Sequence, residues 1–120
     1  MLLRSSLSVV LALLAGGALA QGDDEFLLVN GTDYTIVEVT TSLPDMNFWG
    51  DDVLLPPALQ GGEARKVKVA PFAAACLQDV RARFADDAET VVWKSLKMCS
   101  VKKLTLFFHR GSGRTFATYE

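Results

Sequence analysis

A chain of 120 residues with 12 Lys and Arg against 14 Asp and Glu carries a formal net charge of −2, and half of its residues are hydrophobic. That balance excludes the broadly basic surface that general binding to nucleic acid or an anionic membrane requires, and leaves room only for a local basic patch. The length suits a single domain.

The N-terminus sets the compartment. Met1-Leu2-Leu3-Arg4 leads into an apolar run from Leu7 to Leu14, and small residues end at Ala18-Leu19-Ala20. A positive start, a short apolar stretch and an Ala-x-Ala exit are the parts of a secretory signal peptide, with cleavage expected after Ala20. The alternative is an uncleaved membrane-anchoring helix. The run is shorter than the ~20 residues a spanning helix needs, and no later segment is apolar enough to span. With one arginine before the apolar run and no Cys at the junction, neither a twin-Arg nor a lipoprotein signal fits. The expected product is therefore a Sec-exported periplasmic or secreted protein. Residues 21–25 form its flexible start and residues 26–120 one domain. Arg4 is the only charged residue removed with the signal, which leaves 11 basic residues against 14 acidic ones.

After the signal, the pattern is that of strands. Phe26 to Val29 is a short apolar run closed by Asn30-Gly31, a tight-turn dipeptide. Asn30-Gly31-Thr32 also matches a glycosylation sequon and is read here as a turn. Tyr34 to Thr41 alternates and is rich in β-branched residues, which suit a pleated surface and crowd a helix. Arg65 to Val69 alternates and stops at Pro71, and Cys76 to Phe84 alternates again. Val91 to Leu96, Leu104 to His109 and Thr115 to Tyr119 follow, the last two separated by Gly111-Ser112-Gly113, a hairpin signal. About seven short strands between turns predict an all-β chain folded as a small antiparallel sandwich, with a small barrel as the alternative.

In an oxidising compartment the two cysteines, Cys76 and Cys99, are expected to form a disulfide; two buried reduced thiols are the alternative. A four-residue loop Asp86–Glu89 would set Ala82 opposite Trp93 and Cys76 opposite Cys99. It would also set Arg81 against Lys94, a like-charge pair that counts against this register, so a bulge or a one-residue shift is the competing alignment.

Ser42 to Gly62 holds Pro44, Gly50, Pro56, Pro57, Gly61 and Gly62 and cannot be one regular element. Loops this long in compact domains are often functional. Ser42-x-Pro44, Trp49-Gly50-x-Asp52 with Leu54-Leu55, Gly61-Gly62 before a Val-x-Val strand, Cys76-x-x-Asp79-Val80-Arg81-x-x-Phe84-x-Asp86 and Cys99 together resemble a family of small exported bacterial proteins without assigned activity. The chain departs from that pattern at Leu77, where an aromatic is usual, and at Asp87, where a glycine is. The resemblance implies export, the β fold and the cysteine pair, and no chemistry.

Trp49, Gly50, Asp51 and Asp52 form the candidate partner-binding stretch. Trp49 either stands out as an anchor for a partner or folds back to plug the sandwich while Asp51 or Asp52 caps a turn. No calcium ladder, transition-metal set or cofactor motif is present. His109, the only histidine, lacks an activated nucleophile or an orienting acid in the pattern and reads as a strand-end residue facing solvent. Charge is divided along the chain: residues 21–63 hold nine acids and no base, and residues 64–120 hold eleven bases and five acids. Either the two halves interleave and neutralise one another, or Lys94, Lys97, Lys102, Lys103, Arg110 and Arg114 share a face that takes an anionic ligand. The leading expectation is a non-enzymatic binding module whose partner is a protein or an anionic ligand. One alternative is an inhibitor or immunity-type protein that docks a loop into an enzyme. The other is a small hydrolase or lyase using the carboxylates of the Trp49–Asp52 loop.

Overall fold

The computed structural model describes residues 25–68, 76–86 and 89–120. The expected signal peptide lies outside them. Seven strands carry the chain: β1 (Glu25–Asn30), β2 (Ile36–Ser42), β3 (Ala64–Lys68), β4 (Leu77–Phe84), β5 (Thr90–Lys97), β6 (Lys103–His109) and β7 (Arg114–Tyr119). They form two sheets, one ordered β3-β1-β6-β7 and the other β2-β4-β5. The expected all-β sandwich is what the chain builds. Pairing is antiparallel except between β1 and β6, which run parallel with Leu28 beside Leu104. No helix among the described residues is long and apolar enough to cross a membrane.

Alternation along β1, β4 and β6 decides which of their side chains enter the space between the sheets. Phe26 and Leu28 of β1, Leu104 and Leu106 of β6, and Val80, Ala82 and Phe84 of β4 are buried there. The largest core residue is Trp93 of β5. Its indole N–H donates across the sandwich to the carbonyls of Phe107 (3.0 Å) and Phe116 (3.1 Å), so one side chain fills the core and ties the two sheets together. Tyr34, Phe84 and Phe108 close one end of the core, with ring centroids 5.7–6.2 Å apart. Gly31 is fixed by crowding, because a Cβ there would lie 2.7 Å from the Phe107 ring and 2.9 Å from the Leu106 carbonyl.

Cys76 and Cys99 are joined, with Cα atoms 4.4 Å apart. The β4–β5 hairpin reaches this closure by a different register from the expected one. Near the turn Ala82 pairs with Val91 and Val80 with Trp93, not Ala82 with Trp93. The turn begins one residue earlier than expected: Arg83 pairs with Thr90, and Phe84 N–H donates to Glu89 O at 3.0 Å, so Phe84 faces Glu89 where Ala85 was expected to face Thr90. A bulge then shifts the ladder between Gln78 and Val80, and Ser95 takes a left-handed φ of 52°. Beyond it Met98 N–H donates to Cys76 O, and Cys99 follows one residue on. The like-charge clash disappears as a result: Arg81 faces Val92, and Lys94 sits at the bulge.

Candidate functional site

The long connection between β2 and β3 lies along the free edge of β2. Gly50 N–H donates to Thr41 O (3.0 Å), Val53 N–H to Val39 O (2.8 Å), and Leu59 exchanges two bonds with Ile36. A strand edge that would otherwise be open is thereby covered by its own chain. Leu54 and Leu59 drop into the core and anchor the segment.

Three polar side chains fasten this loop. Asp52 Oδ1 accepts from Val39 N–H and Leu54 N–H, both at 2.9 Å. Ser42 Oγ accepts from Phe48 N–H at 3.1 Å. Asp79 of β4, fully buried, accepts from Asp45 N–H through Oδ2 (2.9 Å) and from Ser95 N–H through Oδ1 (2.8 Å). Both of these donors belong to residues in the left-handed region, Asp45 at φ 62° and Ser95 at φ 52°. That conformation costs a side-chain-bearing residue about 1–2 kcal/mol, and the buried carboxylate offsets it at both places. Lys94 completes the cluster, with Nζ 2.6 Å from Asp45 and 3.4 Å from Asp79. Burial by itself raises the pKa of Asp79; the N–H donors of Asp45 and Ser95, followed by Lys94, outweigh burial and hold it below the ordinary carboxylate value. Lys94 is raised, first through Asp45.

Fastened in this way, the loop turns apolar side chains outward. Met46 is 64 % exposed, Phe48 72 % and Leu55 66 %. Trp49 does not plug the core; that place belongs to Trp93, Leu54 and Leu59. Trp49 is half-buried, with the Arg81 guanidinium 4.6 Å from its ring centroid. Of the two candidate carboxylates, Asp52 is spent on backbone donors and Asp51 is exposed. Gly50 packs against β2.

Comparison with protein-family models, with curated proteins and with solved structures gives no match. The site is defined by its own geometry.

The six basic candidates do not form one face. Lys102 and Lys103 stand at the start of β6, Arg110 and Arg114 beyond its far end. Lys94 pairs with Asp45 and Asp79, and Lys103 with Glu120 at 3.2 Å. Arg110 pairs with Asp86 (2.9 Å) and Glu89 (3.1 Å) and lies 3.9 Å from the Tyr34 ring centroid. Lys97 is exposed on β5. The two halves of the chain interleave, with β1 between β3 and β6 and β2 beside β4. Acids of the first half meet bases of the second in Glu38–Arg83 and Asp45–Lys94. His109 is exposed at the β6–β7 turn, its Nδ1 2.9 Å from Ser112 Oγ, and stands on the other sheet from the strand to which Asp52 is tied. Among the described residues no three His, Cys, Asp or Glu side chains gather as a metal site.

Sequence reasoning missed the exposure of Met46 and Phe48, because an apolar residue in a loop carries no sign of whether it faces in or out. It also missed the role of Asn30. Its amide donates to Tyr34 O (2.7 Å) and Leu59 O (3.0 Å) while Oδ1 accepts from Thr32, so the residue is a fully buried joint between the loops. The Asn30-Gly31 dipeptide was legible as the end of the first strand, but the distant partner Leu59 was not.

Proposed function

We propose that the protein is an exported, non-enzymatic binding module that presents the Met46–Leu55 loop to a protein partner. The observation that carries this reading is the combination of a fastened backbone with outward apolar side chains at Met46, Phe48 and Leu55. Large apolar groups held in water cost solvation free energy that burial against a partner recovers. A loop already fixed loses little further entropy on binding. Asp45 and Asn47, both at positive φ, flank Met46 and make the tip a sharp turn. That shape favours the inhibitor-type form of the reading, in which the tip enters a concave surface.

The test compares the protein with a variant carrying Met46→Ser, Phe48→Ser and Leu55→Ser, each immobilised and exposed to extract from the source compartment. A partner held by the first and lost by the second, with unchanged thermal unfolding, supports the loop. Equal capture by both sends the contact elsewhere and ends this reading.

A further inference from the structure

The four outer strand edges of the sandwich are not treated alike. The β2 edge is covered by the loop through Gly50, Val53 and Leu59. The β3 edge carries Arg65, Lys66 and Lys68, and the β5 edge has Lys94, Lys97 and the bulge at Ser95. Charges, bulges and covering segments are the usual means by which an edge avoids pairing with another chain. β7 has none of them over Thr115-Phe116-Ala117-Thr118-Tyr119, five consecutive residues without charge, proline or bulge. All of them except Ala117 are exposed.

The ladder shows which backbone groups this edge offers. Lys103 and Glu120 exchange both hydrogen bonds, at 3.0 and 2.9 Å, so they form a hydrogen-bonded pair. Antiparallel pairs alternate, and the register of β6 with β7 then makes Thr105–Thr118 and Phe107–Phe116 hydrogen-bonded pairs as well. Thr115, Ala117 and Tyr119 accordingly direct their N–H and C=O groups away from β6. Among the described residues no strand meets them.

We infer that β7 pairs with β7 of a second copy of this chain, antiparallel and centred on Ala117, to give a two-fold dimer with one continuous eight-stranded sheet. Parity selects this register, since it places Ala117 opposite Ala117 and Thr115 opposite Tyr119, each of which has its backbone groups turned outward. Three such pairs exchange six hydrogen bonds. The same register places Arg114 opposite Glu120 at both ends, on the same face of the sheet, so that each copy brings the complement of the other. An isologous contact requires that reciprocity. Arg114 has no ion-pair partner among the described residues, and Glu120, 71 % exposed, keeps Lys103 through Oε2 with room for a second cation. Phe116, half-exposed and stacked on Phe107 at 4.5 Å, comes to lie beside Thr118 of the second copy, which covers part of its exposed ring. The inference rests on an element other than the Met46–Leu55 loop, and either can fail without the other.

The test is sedimentation equilibrium of the purified protein from micromolar to several hundred micromolar, with four variants. The wild type is expected to run at twice the chain mass in the upper part of this range. Ala117→Pro removes the two central hydrogen bonds, one from each copy, and weakens association about tenfold or more; proline is tolerated on an edge strand whose N–H faces outward. Arg114→Glu and Glu120→Arg each set like charges opposite one another at both ends and give monomers, while the combined R114E/E120R variant regains the dimer. The charge set decides the matter should Ala117→Pro unfold. A wild type that stays monomeric throughout overturns the inference, as does a dimer that ignores the charge variants or a double swap that fails to restore it. Pairing of the β7 edge with an unrelated extended peptide would appear as the first of these results.

Discussion

Replacing Asp79 by Asn changes one atom of a buried side chain, and the structure predicts that it unseats two segments. Each carboxylate oxygen accepts a backbone N–H, Oδ1 from Ser95 and Oδ2 from Asp45. Asn can match one of these donors, but either orientation of the amide turns its NH2 toward the other. A buried donor left without an acceptor costs about 1–3 kcal/mol, and the lost bond was to a charged group worth about 1.5–3 kcal/mol. The expected loss is about 2–3 kcal/mol for Asp79→Asn and about 3–5 kcal/mol for Asp79→Ala, from a total that for such domains is about 5–15 kcal/mol. With a urea slope of about 1 kcal/mol/M, the Asn variant should unfold about 2–3 M earlier. Amide exchange should speed up most at Asp45 and Ser95. The pH dependence follows from the direction of the shift. The folded carboxyl titrates below its ordinary value of 3.8, so its contribution is complete above that value and is lost as pH falls through the lower folded pKa. The wild type should therefore lose stability in strong acid along a component that the Asn variant lacks. An Asn variant with the wild-type urea midpoint and unchanged exchange at both amides would refute the assignment of Asp79 as the clamp.

The disulfide closes a sequence separation of 23 residues; replacing both Cys76 and Cys99 by Ser should cost about 3 kcal/mol by the chain-entropy estimate, read from urea unfolding, and the native wild type should show no thiol to an alkylating reagent under denaturing conditions. The two tryptophans should separate in fluorescence: a Trp93→Phe variant retains Trp49, which iodide quenches, whereas a Trp49→Phe variant retains the buried Trp93, which it does not. Arg81→Ala should make Trp49 more quenchable at a stability cost of about 0.5–1 kcal/mol.

All seven strands were legible in the sequence, because alternation records which face of a strand is buried and is set residue by residue. Val80, Ala82 and Phe84 announce an inward face whatever they pack against. The cysteine pairing was legible from the count of two and the expected export, and the two sulfurs are joined. The register between β4 and β5 was not. It depends on Ser95 entering the left-handed region, which the distant Asp79 makes acceptable, and no local pattern in Trp93-Lys94-Ser95-Leu96 announces that. The parallel neighbours β1 and β6 were likewise hidden, since strand alternation carries no information on which strand lies alongside. In the candidate site, Asp52 was legible as a turn residue. Trp49 was misleading in its size: a tryptophan suggests a core plug, but the core already held Trp93, and Arg81 gave Trp49 a place on the surface.

The polar residues that stand out in the sequence share one kind of employment. Ser42, Asp52 and Asp79 accept backbone N–H groups that tie the segment after β2 to the sheets or to itself, and Asp79 also holds Ser95 of β5. The Asp79 carboxylate is poorly placed for proton transfer, since both of its oxygens accept backbone N–H groups and its depressed pKa keeps it ionised. What the three acceptors provide is geometry: a loop crossing from the β2 edge to Lys94 on β5, with Asp45 and Asn47 held at positive φ. Ordering so many residues costs conformational entropy of about 1–2 kcal/mol each, which burial of Leu54 and Leu59 and the buried hydrogen bonds must offset within the fold. A connection needed only to join β2 to β3 would not require that ordering, because a shorter or looser chain would serve. The cost becomes intelligible if the rigid presentation of Met46 and Phe48 is itself what the fold supports, and this links the buried carboxylate of Asp79 to the proposed contact surface.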